Sequence, residues 1–142
     1  MGHSMGGWVS AVTGGRDAEL AGVVLISAAD MSDAAKAPPA QRLKLADENH
    51  EALAATTKEM ADEIATLTPD LGFAAAAPGL TKHPLLVVTS NDGLKPTDDK
   101  LVMDVKQRGG RVAVVHIATD HGYSTARIGL ESAIIEWLEG LK

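Results

Sequence analysis

Three short apolar runs set the architecture of this chain. Residues 22–27 (GVVLIS), 84–89 (PLLVVT) and 111–117 (RVAVVHI) are hydrophobic almost without interruption. A strand with one solvated face alternates apolar and polar side chains. A continuous run belongs to a strand covered on both faces, as in a parallel sheet flanked by helices. Segments of helical spacing separate the runs, the order of βαβ units. The sequence therefore predicts one α/β domain over residues 1–142, with three parallel strands in sequence order and helices on both faces.

A chain of 142 residues is long enough to bury a core. Aromatic residues are only 3% of it, so that core has to be assembled from Val, Leu, Ile, Ala and Met. The net charge is −6 and no Lys/Arg cluster stands out. A nucleic-acid partner is therefore not expected, because phosphate binding needs a basic face. The absence of cysteine excludes disulfides, zinc–thiolate sites and thiol catalysis. No apolar run approaches the roughly 18–20 residues of a membrane span and no signal peptide is visible, so the chain reads as cytoplasmic with no membrane partner.

Punctuation between the runs places the helices. One is predicted to follow Ser4 to about Val12 and to stop at Gly14-Gly15. Another is predicted with Thr97 as its cap, Asp98 and Asp99 in its first turn and Gly109-Gly110 at its end. The last carries Ile128, Ile134, Ile135, Trp137, Leu138 and Leu141, mostly at a spacing suited to packing on a sheet. Between the first two runs lies a longer stretch, 31–82. Pro38-Pro39 opens it, and Leu43, Ala46, His50, Leu53, Met60, Ile64 and Leu67 then recur every three or four residues. That spacing predicts one long helix or a broken pair. The stretch is read as a small helical lid; an ordinary crossover helix with a long loop is the other reading.

The residues Gly2-His3-Ser4-Met5-Gly6 have the G-x-S-x-G form of a nucleophile elbow, a serine on a sharp turn between a strand and a helix. The serine's backbone is strained there, and side chains at Gly2 and Gly6 are expected to collide with the strand and helix. An elbow also needs a strand leading into it, and only Met1 precedes Gly2. A missing front half is the expectation, and with it an unpaired apolar edge along residues 23–26 that invites self-association.

A hydroxyl is a poor nucleophile at neutral pH, so Ser4 needs a base, and the base needs an orienting acid. His121 is the best candidate base, in the loop after the third run (Thr119-Asp120-His121-Gly122-Tyr123). Asp92 is the best candidate acid, in Ser90-Asn91-Asp92-Gly93 after the second. Both fall at the carboxyl ends of strands, the edge where open parallel sheets build sites. Asp30 follows the first run and is a rival acid, whereas Asp120 is too close to His121 in sequence to orient its ring readily. Of the other histidines, His116 lies inside a strand and His3 inside the elbow, where both are expected to pack. His50 and His83 read as surface or structural. No H-E-x-x-H or other metal-ligand spacing occurs, and no cofactor is implied.

Taken together, these residues resemble the α/β-hydrolase superfamily. Gly2-His3-Ser4-Met5-Gly6-Gly7 is a frequent form of its elbow, Ser90-Asn91-Asp92-Gly93-Leu94-Lys95-Pro96 is similar to its acid loop, and Asp120-His121-Gly122 to its histidine loop. The resemblance covers essentially the whole chain, most loosely in the lid, and the spacing looks most like esterases and dienelactone-hydrolase or peptidase relatives. It implies a partial α/β-hydrolase fold, whose strands correspond to the last three of an eight-stranded sheet. It implies hydrolysis of a small-molecule carboxylic ester or related acyl bond by Ser4, His121 and Asp92, with the Met5 N–H as oxyanion donor. The family's second donor comes from a loop ahead of the elbow. Loss of one donor slows such reactions on the order of 10²–10³-fold, so weak or absent activity is expected of this chain alone. An amidase or peptidase on the same triad, or a non-catalytic binding remnant of the same fold, are the alternatives.

Overall fold

The computed structural model describes residues 1–49 and 54–141. Its elements run β1 (Gly2–His3), α1 (Met5–Arg16), β2 (Val23–Ile26), α2 (Met31–Ala35), α3 (Pro39–Asn49) and α4 (Thr57–Thr66). After a 3₁₀ turn at Pro69–Leu71 come α5 (Phe73–Leu80), β3 (Leu85–Thr89), α6 (Lys95–Gln107), β4 (Val112–His116) and α7 (Arg127–Glu139). The sheet is wholly parallel, in the order β1-β2-β3-β4.

Four strands are present where three were predicted. Gly2–His3 is too short to show a hydrophobic pattern, yet it pairs in parallel with Leu25 and Ile26. The unpaired edge expected along residues 23–26 is thus covered over half its length, and all four residues of β2 are buried. The two outer strands, β1 and β4, lie partly open, with residues that are half-buried or exposed.

Alternate side chains of the central strands feed two cores, as pleating requires. Val23, Leu25, Leu85 and Val87 face α1, α5 and α6 in the larger one. Val24, Ile26, Leu86 and Val88 face Tyr123 and α7 in the other. On α7 the contacts come from Leu130, Ile134 and Trp137, at i, i+4 and i+7. Ile128, Ile135 and Leu138 lie on the other side, Ile128 being 81% exposed. The predicted apolar set therefore mixed two faces of the helix.

The stretch 31–82 is broken more finely than one helix or a pair. It holds α2, α3, α4, the 3₁₀ turn and α5. A reciprocal capping box starts α4: the Glu59 N–H donates to the Thr56 hydroxyl, and the Thr56 N–H to the Glu59 carboxylate. Met31, Ala46, Met60, Ala61 and Ile64 form a third cluster, against which Met5 and Trp8 of α1 pack. Leu67 joins it in part and Leu43 is exposed, while His50 and Leu53 lie outside the described residues. By contrast, α5 belongs to the sheet core through Phe73, Ala76, Ala77 and Leu80.

Two helix ends differ from the predicted ones for identifiable reasons. Helix α1 passes through Gly14-Gly15 to Arg16. Those glycines permit close packing: a Cβ on Gly14 would lie 2.7 Å from Val23 Cγ2, and one on Gly15 2.9 Å from Ala76 Cα. Helix α6 starts at Lys95, with Pro96 in its first turn, so Thr97 is not the cap. Its far end does fall just before Gly109, whose φ of 85° is the left-handed conformation expected after a helix.

The early start of α6 carries Asp98 indoors. The residue is fully buried, and neither carboxylate oxygen has a hydrogen-bond partner. Burial, reinforced by the charges of Asp92 and Asp99, pushes its carboxyl up to about 7, and the charge of Lys95 opposes this only in part.

Two stability predictions follow from this packing. A Cβ on Gly79 of α5 would sit 1.8 Å from the Gly15 carbonyl oxygen. Gly79→Ala should therefore destabilise by about 1–3 kcal/mol through overpacking, net of a helix-propensity gain of about 1 kcal/mol; denaturant unfolding of the two proteins measures it. For Asp98 the folded carboxyl titrates above its ordinary 3.8. Its ionisation opposes folding, so the Asp98 contribution to stability is fully present below about pH 4 and is lost as the pH rises through about 7. Asp98→Asn should abolish that fall and be the more stable protein at pH 8 by a few kcal/mol, at about 1.4 kcal/mol per pKa unit. Melts of both proteins at pH 4 and pH 8 check it; an equal difference at the two pH values would contradict the assignment.

Candidate active site

The four strands end on one edge, and the sequence-predicted residues lie there. Ser4 occupies the turn between β1 and α1 with φ 57° and ψ −122°. A non-glycine residue with positive φ is strained, at a cost of about 1–3 kcal/mol. The surroundings hold it: the Ser4 N–H donates to the Ile26 carbonyl at 3.0 Å, and its own carbonyl accepts from Gly7, Trp8 and Ala29. Met5 is the first residue of α1, at the end where helix N–H groups lack intrahelical partners.

The elbow's glycines do not all do what was expected of them. A Cβ on Gly2 would lie 2.1 Å from the Gly6 carbonyl oxygen, so that position admits nothing larger. A Cβ on Gly6 would meet nothing within 4 Å, because that side of α1 is open. The second tight position is Gly7, where a Cβ would be 2.6 Å from Ala28 Cβ.

Asp92 and His121 come together across the ends of β3 and β4. The His121 Nδ1–H donates to Asp92 Oδ2 at 2.8 Å, leaving Nε2 free to accept a proton. The Asp92 side chain is 4% exposed and that of His121 41%. Burial alone would raise the Asp92 carboxyl, but His121, the Leu94 N–H, and the Ser27 and Ser90 hydroxyls outweigh it and bring the group down to about 2. The Leu94 bond, at 2.9 Å, engages the other carboxylate oxygen. Among the described residues no hydrogen bond joins Ser4 Oγ to His121; such contacts are often long before substrate binds.

The rival acids are engaged elsewhere. One Asp30 oxygen accepts from the Ser32 N–H and hydroxyl at the start of α2, and the other from the Phe73 N–H at the start of α5. Asp120 accepts from the Ser124 N–H, which with the Ser124 side chain holds its carboxyl below the ordinary range. Of the histidines, His116 pairs with the Thr89 hydroxyl, and His83 is buried with Nδ1 on the Leu20 carbonyl. His3 lies against the base: its Nε2–H donates to the His121 carbonyl at 2.8 Å, and the two rings are 4.5 Å apart.

Sequence reasoning missed a buried hydroxyl cluster beside Asp92. The Ser27 Oγ lies 3.0 Å from Ser90 Oγ and 2.9 Å from the Tyr123 hydroxyl. Ser27 and Tyr123 share with Ser4 a positive φ, at 40° and 54°. Burial pushes the Tyr123 phenol above its ordinary range, keeping it a hydroxyl. The only sequence signal was position, since Ser27 directly follows a strand, Ser90 precedes Asp92 by two residues and Tyr123 follows His121 by two.

A cleft of about 250 Å³ opens beside these groups, lined by His3, Ile26, Gly122, Tyr123, Arg127 and Leu130 among others. Among the described residues no group of three or more His, Asp or Glu is placed to hold a metal ion. None of their helices is long and apolar enough to cross a membrane. Chemically, the edge offers a strained serine at a helix N-terminus and a carboxylate-held imidazole with one nitrogen free. In comparison with known proteins, no family model, curated protein or solved structure matches this chain.

Proposed function

We propose that the chain carries the catalytic edge of an α/β-hydrolase-type serine hydrolase acting on small-molecule carboxylic esters or related acyl bonds. The observation that carries this reading is the 2.8 Å hydrogen bond from His121 to the Asp92 carboxylate, a side chain only 4% exposed, on the same sheet edge as a serine held at φ 57°. Ser4 Oγ attacks the acyl carbonyl and gives its proton to His121 Nε2. Asp92 stabilises the imidazolium that forms, and the Met5 N–H faces the charge that develops on the carbonyl oxygen. The imidazolium then protonates the leaving alcohol. Water then attacks the acyl-enzyme carbonyl as the same ring takes its proton, and the ring returns that proton to Ser4 Oγ as the acid leaves.

The helices α2, α3 and α4 serve in this reading as a lid. Their cluster packs on Met5 and Trp8, the residues that follow the nucleophile. Amide and peptide bonds are open to the same triad. A second reading, a module that binds without turnover, draws support from the lack of a hydrogen bond between Ser4 and His121 among the described residues.

A fluorophosphonate probe should label the protein at Ser4 slowly, with the Met5 N–H as its oxyanion donor, and Ser4→Ala should lose the label. Labelling that persists in Ser4→Ala removes the nucleophile, and an unlabelled wild type favours the binding module. The acids separate by rate. Asp92→Asn should slow labelling or ester turnover by about 10⁴, the size seen when a triad acid is replaced. Asp30→Asn should act mainly on stability, by about 1 kcal/mol, because an amide nitrogen in place of Oδ2 cannot accept from the Phe73 N–H. The opposite ranking would transfer the acid's role to the end of β2.

A further inference from the structure

We propose that Ser27 is a positioning residue, whose hydroxyl ties the loop bearing Asp92 to the loop bearing His121 and so holds the acid and the base in register. The proposal rests on the assignment of those two residues as acid and base. Ser27 stands at the end of β2 and is fully buried. Its Oγ reaches Ser90 on the acid loop at 3.0 Å and Tyr123 on the histidine loop at 2.9 Å. Ser90 is two residues before Asp92 and Tyr123 two residues after His121, so each arm of the knot grips a loop next to its functional group. The Tyr123 hydroxyl also donates to the Val88 carbonyl at 3.4 Å, which anchors that arm to β3.

The choice of residue at position 27 points the same way. Its backbone has φ 40°, which glycine would adopt without strain. Alanine would fill the same space without burying a polar atom. What serine adds there is a hydroxyl in contact with both loops. The same hydroxyls of Ser27 and Ser90 favour the ionised form of Asp92, the form that receives the His121 Nδ1–H. A cluster that only filled space would have no such link to the carboxylate.

The test uses the full chain and two variants, Ser27→Ala and Tyr123→Phe, the second of which removes one oxygen and leaves the ring in place. Two readouts are needed: the titration of the Asp92 carboxyl by carbon-13 NMR, and the rate of Ser4 labelling by a fluorophosphonate. In both variants the Asp92 titration should move upward from about 2, and labelling should slow roughly tenfold. In an Asp92→Asn background neither substitution should slow labelling further, because the effect acts through that carboxylate. An unmoved Asp92 titration in folded variants overturns the proposal, as does equal slowing in the Asp92→Asn background. If Ser27→Ala does not fold, Tyr123→Phe decides by the same criteria. If the wild type is not labelled at Ser4, the hydrolase reading fails by itself, and the Asp92 titration still decides whether Ser27 governs that carboxylate.

Discussion

β2 and β3 lie side by side in parallel, Val23–Ile26 opposite Leu85–Val88, and every residue of both is buried. Two-sided burial fixes their register, because a slip of one residue would send each side chain into the wrong core. The ends of the strands are fixed with it. Ser27 follows β2 directly and Ser90 follows β3 directly, and the Ser27 N–H donates to the Val88 carbonyl at 2.8 Å. The hydrogen bonds that gather the candidate site are thus extensions of the ladder that holds the core.

Flanking helices are brought in by the removal of side chains as much as by their presence. Gly14 lets α1 approach β2, while Gly15 and Gly79 let α1 and α5 touch backbone to backbone. With scarce aromatic residues the core has few large side chains to fill wide gaps, and close approach keeps those gaps narrow. The same economy appears at the elbow, where Gly2 and Gly7 leave room for a tight turn against Gly6 and Ala28.

The central strands were legible because two-sided burial leaves a continuous apolar signature, and the pairing of Asp92 with His121 was foreshadowed by their places after two such runs. What escaped the sequence was non-local. Gly14-Gly15 resembled a helix stop, since nothing nearby in sequence reveals α5 resting on it. A two-residue strand has no period to detect. On α7, apolar residues on two faces looked equivalent until a sheet chose Leu130, Ile134 and Trp137. Nor could the hydroxyl knot be read in advance: Ser27, Ser90 and Tyr123 sit 63 and 96 residues apart from the hub outward, and no spacing rule joins them.

The contact between Gly7 and Ala28 couples two regions that a protein engineer would treat as separate. Ala28 has no room to grow towards α1, and the Ala29 N–H donates to the Ser4 carbonyl. Ile26, Ala28 and Ala29 therefore form the socket in which the serine turn is seated. A combinatorial library at these positions, built to reshape the neighbouring surface, would be a library of serine placements as well.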